Sequence, residues 1–177
     1  MALTKVTGAG VEGLSLSSSS TALSIDSNGQ ITKPLQPAFL VENNNAQNNL
    51  AIDSVVTIVL DTERFDQNAD FSSNTFTSPV TGRYQLQFAL TLRNLDSAAD
   101  YIRFRLGTSN KSYDLFVDPN FDSSSPDYDS TFQIFSASIL VDMDANDTCT
   151  LGYYQAGGTA QSDLNGSEVF FSGYLVC

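Results

Sequence analysis

One acidic stretch of the chain has the residue types and part of the spacing of a calcium-binding loop. Three oxygen-bearing side chains stand at alternate positions and a fourth falls twelfth from the first: Asp118, Asn120, Asp122 and Asp129. Calcium prefers carboxylate and amide oxygens of this kind. However, the sixth position is Ser123 instead of glycine, the twelfth is aspartate instead of glutamate, and no helical pattern flanks the stretch. We interpret it as a solvated acidic loop, with calcium, the one cofactor considered, as the alternative.

Few side chains are candidates for catalysis. The chain has no histidine, which excludes Ser-His-Asp and Cys-His catalysis and imidazole metal sites. Asp61 and Glu63 would share one face of a strand and have the chemistry of glycoside hydrolysis, but the sequence around them gives no sign of a cleft. Residues 142–147 are rich in Asp and Asn, which favours a turn over a metal site. We predict that the protein is not an enzyme.

A third group combines side-chain amides with tyrosines in predicted loops or at strand ends: Asn44, Asn45, Asn48, Asn49, Tyr113 and Tyr128. Such residues can bind sugars or protein surfaces through hydrogen bonds and stacking. The same residue types also solvate ordinary loops. The sequence leaves both interpretations open.

Composition limits the classes of partner. The 177 residues are enough for one domain with a good core, and they carry 8 Lys+Arg against 20 Asp+Glu, a net charge of −12. A basic groove for a phosphate backbone is absent, so we expect no nucleic-acid binding, and an anionic bilayer would repel the chain. No 18-residue apolar segment predicts membrane insertion.

The N-terminal residues and the two cysteines indicate in which cellular compartment the protein is made. The start of the chain lacks a seven-residue apolar run, so we expect no signal peptide and a protein made and assembled in a cytoplasm. Cys149 falls in the middle of a predicted strand, where we expect a small buried hydrophobic side chain. Whether it pairs with Cys177 stays open, because two cysteines do not define a disulfide framework.

The elements that position these residues are short strands. Apolar and charged side chains alternate along residues 101–106. On a strand, Ile102, Phe104 and Leu106 would face inward, and Arg103 and Arg105 would face outward. No ten-residue helical pattern occurs, and Asn, Asp, Gly and Ser clusters separate the segments. We predict an all-β fold of two sheets, a sandwich or jelly roll. The nine predicted strands are 38–42, 55–61, 74–77, 82–93, 101–108, 112–117, 131–143, 148–156 and 167–177.

An aromatic and glycine register is the most specific feature of the chain. It comprises Leu60, Asp66, Phe71, Phe76, Gly82, Tyr84, Leu86 and Phe88, and it closes with Phe-Ser-Gly-Tyr at residues 171–174. Residues 77–82 predict a turn in which Gly82 is free to take positive φ, followed by a strand with Tyr84, Leu86 and Phe88 on one face. We expect a hairpin that feeds one hydrophobic sheet face.

This register resembles the signature of the globular head of complement C1q, in the tumour necrosis factor-like jelly-roll superfamily. Leu60 and Leu86 stand where phenylalanine is usual, and the four-residue spacer between Phe71 and Phe76 is shorter than the family norm. The resemblance covers about residues 37–177 and implies a two-sheet jelly-roll head. It says little about the ligand, because one fold hosts many functions.

The resemblance also implies a homotrimer. Tyr153-Tyr154 and Phe170-Phe171 offer aromatic rings to both faces of their strands, and in this superfamily neighbouring subunits of a trimer cover the second face. An alternative is that Tyr154 or Phe170 packs under a local loop. The candidate core and trimer-interface residues are Tyr84, Phe88, Tyr153, Tyr154, Phe170, Phe171 and Tyr174.

Residues 1–36 differ from the rest because they contain no aromatic side chain and are rich in serine. Asn28-Gly29 between Ile25 and Ile31 predicts a two-residue hairpin. Pro34 and Pro37 bracket a boundary, so we divide the chain into residues 1–36 and a head at 37–177. Residues 3–6 and 17–26 are similar to structural proteins of tailed bacteriophages, which implies an N-terminal virion anchor or stalk. A flexible tail is the alternative.

Together the two resemblances imply a bacteriophage virion structural protein, assembled in the host cytoplasm and exposed on the virion surface. Its partners would be other virion proteins, bound through residues 1–36, and a host surface glycan or protein. The leading hypothesis is a tail-fibre, receptor-binding module for host attachment. The alternatives are a capsid decoration (cement) protein or head fibre, and a cellular C1q-like binding module.

Overall fold

The computed structural model describes residues 23–119 and 132–177, and the chain divides into two compact units, Met1–Gln36 and Pro37–Cys177. The described part of the first unit contains a hairpin of β1 (Ser24–Ile25) and β2 (Ile31–Thr32). Gly29 turns the chain with a φ of 80°, and the Asp26 carboxylate accepts hydrogen bonds from two backbone N–H groups of the turn. The hairpin predicted at Asn28-Gly29 is confirmed, but its loop is longer than the predicted two residues, because Ile25 pairs with Ile31 and the Asp26 N–H donates to the Gln30 carbonyl at 3.0 Å.

The second unit is built from strands, most of which alternate buried and exposed side chains. One 3-10 turn, Gly166–Glu168, is the single helical element among the described residues, and no helix there is long and apolar enough to cross a bilayer. The strands are β3 (Ala38–Glu42), β4 (Val56–Thr57), β5 (Thr62–Asp66), β6 (Phe71–Ser72), β7 (Thr75–Thr77), β8 (Gly82–Arg93), β9 (Tyr101–Thr108), β10 (Ser112–Val117), β11 (Gln133–Met143), β12 (Thr148–Ala156), β13 (Asp163–Leu164) and β14 (Phe170–Leu175).

These strands form two six-stranded antiparallel sheets that pack as a sandwich. The β9 sheet has the order β10-β9-β12-β7-β6, with β4 paired to β12, and the β8 sheet has the order β11-β8-β14-β3-β5, with β13 paired to β8. Apart from β6/β7 and β9/β10, neighbouring strands in the sheets are not consecutive in sequence, as in a jelly roll. The predicted all-β, two-sheet jelly-roll fold is confirmed.

The inward faces of the two sheets meet in one aromatic core. Phe39 of β3 stacks on Phe76 of β7 with ring centroids 4.6 Å apart, and it meets Phe171 of β14 edge-on at 5.1 Å. Tyr84 is fully buried and its hydroxyl donates to the Val80 carbonyl at 2.7 Å, which satisfies the polar tip of the ring. Contacts of this kind join the sheets directly.

The aspartate of the aromatic register organises a turn. The Asp66 carboxylate accepts the backbone N–H groups of Asp70 and Phe71 at 3.0 and 2.7 Å, and so closes the loop between β5 and β6. Burial raises the pKa of the Asp70 carboxyl, and the nearby charge of Asp66 raises it further. The register therefore combines core aromatics with one backbone-capping side chain.

A buried polar cluster holds the loop that follows β12. The Asp96 carboxylate is 2% exposed and accepts the N–H groups of Ala98, Thr159 and Ala160 at 2.9, 2.6 and 2.8 Å. Gln155, fully buried on β12, donates to the Ala160 carbonyl at 2.8 Å. Each buried polar atom in this set has a partner, as a stable interior requires.

Gln155 also joins the core to this cluster. Its amide oxygen accepts hydrogen bonds from the hydroxyls of Tyr153 and Ser162 at 2.9 and 3.0 Å. Burial raises the pKa of Tyr153 to about 12, so the hydroxyl stays protonated as a donor across the physiological range. The loop is thereby fixed to both β12 and the chain after β8.

Two local predictions are wrong. Residues 77–82 do not form a hairpin, because β7 and β8 belong to different sheets and the segment crosses between them. Within residues 55–61, only Val56 and Thr57 form a strand, β4, which pairs with β12. The next strand is β5, which pairs with β3 and was not predicted from the sequence. β5 has the sequence TERFD, whose polar residues lack the alternation of a half-buried strand.

Gly82 is required for a different reason from the one predicted. Positive φ occurs at Gly29, Gly157 and Gly158 among the described glycines, and not at Gly82. A Cβ on Gly82 would lie 2.6 Å from both the Cys177 carbonyl oxygen and Leu175 Cδ1. The glycine therefore allows the C-terminal residues to approach the start of β8, where the Arg83 N–H donates to the Cys177 carbonyl at 2.7 Å.

Candidate functional site: the outer face of the β8 sheet

The surface of the β8 sheet that faces away from the core is unusually apolar. Cross-strand register brings side chains from five strands into one layer. Leu40 pairs with Phe65 and Ser172, Ser172 pairs with Gln87, and Leu140 of β11 pairs with Gln85 of β8. Phe65 and Tyr174 are each half exposed. We call this surface the outer β8 face, defined by Ala38, Leu40, Phe65, Gln85, Gln87, Leu140, Phe170, Ser172 and Tyr174.

The middle of the outer β8 face contains a groove of about 540 Å³. Its walls are the rings of Phe65, Phe170 and Tyr174 together with Leu40. The polar side chains that line it are those of Gln87, Ser172 and, at the β3 border, Glu42. A surface groove with this lining is open to a side chain of another molecule. Large exposed apolar surface of this kind marks an interaction site.

Charge is scarce on this face although the chain carries a net −12. Glu42 lies at its β3 border and is neutralised by Arg64 of β5, with Nε and Oε2 2.6 Å apart. Arg83 and Asp142 face each other in register at the far end. The uncharged centre can approach a second copy without the repulsion that the remaining surface would cause.

The predicted core and interface residues lie in three places. Phe170 and Tyr174 line the groove on the outer β8 face. Tyr154 lies on the other sheet. The guanidinium of Arg103 covers one side of its ring, with Arg103 Cζ 4.7 Å from the ring centroid. The other four are at most 3% exposed and belong to the core: Tyr84, Phe88, Tyr153 and Phe171.

Two groove residues were missed from the sequence. Leu40 and Phe65 lie on β3 and β5, and Phe65 reaches the groove because β5 pairs beside β3. The signal in the sequence was a lone phenylalanine in a polar segment, which does not by itself indicate a strand. Phe65 reaches the groove only because β5 pairs with β3.

Most of the acidic loop lies outside the described residues, namely Asn120, Asp122 and Asp129, and so does Tyr128. Asp118 is described and follows β10 directly. Within residues 23–119 and 132–177 no group of three His, Cys, Asp or Glu side chains is arranged to hold a metal ion. Calcium binding by the loop stays a prediction.

The hydrogen bonds around Asp61 favour its ionised form. Its carboxylate accepts the Asn44 N–H at 3.0 Å and the Asn45 side-chain amide at 3.1 Å, and these two hydrogen bonds lower the pKa of Asp61. A general acid needs the opposite shift. Asp144 and Asp147 close a turn, with the Asp144 N–H donating to Asp147 at 2.7 Å, as predicted for residues 142–147.

The two cysteines have opposite environments. Cys149 is fully buried on β12, and this burial raises the pKa of its thiol to about 12. Cys177 is exposed, and both thiols are free. The prediction of a small buried hydrophobic residue at position 149 is confirmed, and a reagent in solution can reach Cys177 alone.

The two-sheet geometry matches known heads. The globular domain of zebrafish complement 1qA protein superposes with a TM-score of 0.56 at 16% identity, covering 80% of this chain and 98% of that one. Murine APRIL at pH 8.0 superposes with a TM-score of 0.55 at 9% identity, covering 80% and 99%. The chain carries a C1q/TNF-like jelly roll. No protein-family model and no curated protein matches the sequence.

Identities this low establish the C1q/TNF-like fold alone, since unrelated functions share folds. The sequence resemblance to the C1q head is thus confirmed at the level of architecture. What the head binds, and where it is displayed, rests on its own surfaces. Two of them are distinctive: the outer β8 face and the outer surface of the β9 sheet.

Proposed function

We propose that this protein is a trimeric, non-enzymatic binding module of the virion surface. The observation that carries the proposal is the outer β8 face, an apolar surface with charges only at its borders on a chain of net charge −12. Buried in an interface, its rings would supply the hydrophobic core that stable oligomers share. The resemblance to the C1q head favours three copies, and the function requires no cofactor.

The virion context rests on the first unit. Residues 1–36 form a separate unit, and the resemblance of residues 3–6 and 17–26 to structural proteins of tailed bacteriophages supports a role in the virion. In this proposal they anchor the trimer to other virion proteins, and the heads face outward to bind a host surface glycan or protein as a tail-fibre module. Assembly takes place in the host cytoplasm.

Replacing Phe65 by glutamate should dissociate the oligomer. The ring is half exposed on the outer β8 face, so the substitution adds a charge to the groove without opening a cavity in the core. An unpaired carboxylate buried at an interface costs about 3–5 kcal/mol, and three copies would meet it. Light scattering should give the mass of three 19.1-kDa chains for the natural protein and of one for Phe65→Glu.

Phe116→Glu is the matched control, because Phe116 is 59% exposed on the opposite sheet. It should keep the mass of the natural protein. A natural protein that is monomeric at micromolar concentration, or an oligomer that survives Phe65→Glu, would refute the proposed interface.

Removing residues 1–33 should abolish attachment to the particle and leave the head folded. The exposed Cys177 accepts a gold or fluorescent maleimide while Cys149 stays protected, so both forms can be followed. Labelled full chain should appear on virions in micrographs, at the tail for a fibre and over the shell for decoration. The labelled head, with an unchanged circular dichroism spectrum, should remain in solution.

Labelled head that still joins virions would exclude an anchor in residues 1–33. Full chain that binds no virion protein would remove the phage context and favour the cellular C1q-like module. Neither result depends on the trimer, which light scattering tests separately.

A further inference from the structure

The outer surface of the β9 sheet holds three aromatic rings around one arginine. Arg103 pairs in register with Phe116 on β10 and with Tyr154 on β12, so the two rings flank it. Its Cζ lies 4.7 Å from the Tyr154 centroid, and the Tyr101 ring lies 5.5 Å from Phe116 and 6.0 Å from Tyr154. We call Tyr101, Arg103, Phe116 and Tyr154 the Arg103 cluster.

The two neighbouring arginines of β9 are in different states. Arg105 makes a two-point ion pair with Asp114, at 2.7 and 2.9 Å. Arg103 donates no hydrogen bond to any described residue, and its Nε is buried without an acceptor. A guanidinium has five donors in a planar fork that matches a carboxylate. Because the Arg103 Nε is buried, its two terminal amino groups are the donors that a ligand can reach, and the charge of the nearby Asp114 also acts on this guanidinium.

Local charge favours an anionic ligand. Between residues 101 and 117 the chain has Arg103, Arg105 and Lys111 against the single carboxylate of Asp114, a net +2 in a protein of net −12. Three of the eight cations of the chain lie in this one hairpin. A small positive area on an acidic protein directs an anionic group to it. Asp100 precedes β9 and Asp118 follows β10, so both carboxylates lie at the Tyr101 end of the hairpin, and its positive charge lies toward Arg103 and Arg105.

The aromatic rings narrow the class of ligand further. Phe116 is 59% exposed, and Tyr101 and Tyr154 are partly buried beside it. Rings held side by side at a surface offer flat apolar areas to the C–H face of a sugar ring, whose hydroxyl groups stay at its edges. An extended peptide would instead pair with the free edge of β10 rather than lie over the rings on the outer surface of the sheet.

We propose that the Arg103 cluster binds a saccharide that carries a carboxylate. The guanidinium of Arg103 binds the carboxylate, and the rings of Phe116 and Tyr101 pack against the pyranose. The inference rests on the proposed function and names the receptor chemistry for it. It assigns binding to the β9 sheet, on the opposite side of the sandwich from the surface proposed for self-association.

Saturation-transfer NMR on the full chain tests the inference with monosaccharide probes. The methyl glycosides of glucuronic acid and N-acetylneuraminic acid are compared with neutral methyl glucoside. At least one acidic glycoside should bind about tenfold or more tightly than the neutral one, the factor expected for a charge-assisted hydrogen bond. Arg103→Gln should remove this preference, and Phe116→Ala should weaken binding of acidic and neutral probes together.

Phe65→Glu separates this inference from the proposed oligomer, since it alters the other sheet and should leave saccharide binding unchanged. Circular dichroism checks that each variant is folded. If Arg103→Gln does not fold, the result for Phe116→Ala decides the test. Equal signals from acidic and neutral probes, no signal from any of them at millimolar concentration, or binding that survives both cluster variants would overturn the inference. So would tighter binding of an acetylated triglutamate peptide, which would indicate a protein ligand.

Discussion

Replacing Asp96 by alanine should destabilise the head more than any other single substitution of a carboxylate in its described part. The change removes the acceptor for three backbone N–H groups, those of Ala98, Thr159 and Ala160, and leaves them in a site where Asp96 itself is 2% exposed. Hydrogen bonds to a charged group contribute about 1.5–3 kcal/mol each, and buried donors without partners add a desolvation cost. We expect a loss of about 4 kcal/mol.

Thermal unfolding followed by circular dichroism measures this loss. For a domain of this size about 4 kcal/mol corresponds to a fall in Tm of about 8–16 °C. Asp61→Ala is the matched control, because Asp61 also accepts a backbone N–H but at an exposed site; its Tm should change by less than about 4 °C. Equal shifts for the two variants would mean that the buried cluster does not stabilise the loop after β12.

Gly82→Val is the second substitution with a large expected effect. A Cβ at this position would lie 2.6 Å from the Cys177 carbonyl oxygen and from Leu175 Cδ1, so the end of the chain would have to move. Valine adds two further methyl groups to the same space. Overpacking and the loss of the Arg83 N–H to Cys177 bond together should cost about 3 kcal/mol and lower the yield of soluble oligomer.

Gly107→Val isolates the steric cause. Gly107 also lies in a strand of the head, but the nearest atom to its Cβ would be Thr150 Oγ1 at an ordinary 3.6 Å. Urea unfolding should show a loss for Gly82→Val that exceeds the loss for Gly107→Val by about 2 kcal/mol. Indistinguishable midpoints would show that the C-terminal residues do not need the space that Gly82 leaves.

Sequence periodicity predicted the strands that are half buried and failed for those that are not. β3, β8, β9, β10 and β12 have the predicted bounds because their apolar residues alternate against the core. β5 and β13 were not predicted, since their pairing depends on partners far along the chain. The supposed hairpin at residues 77–82 failed for the same reason: local turn residues do not indicate to which sheet the next strand belongs.

The candidate surfaces were predictable only in part. The outward direction of Arg103 follows from alternation along β9, and Phe170 and Tyr174 were recognised as aromatics of the last strand. Phe116 and Tyr154 come together with Arg103 only through the registers of β10 and β12. A register is set by the packing of the whole sandwich. The sequence alone therefore does not reveal the outer β8 face or the Arg103 cluster.

The uncharged outer β8 face also determines how assembly would respond to ionic strength. In the proposed trimer, three chains of net charge −12 would bring −36 elementary charges into one particle, while Arg64–Glu42 is the one ion pair found on this face among the described residues. Added salt shortens the range of repulsion, to about 8 Å at 0.15 M, and leaves apolar burial intact. Such an oligomer tightens as salt rises, and dilution into fresh water is the condition that loosens it.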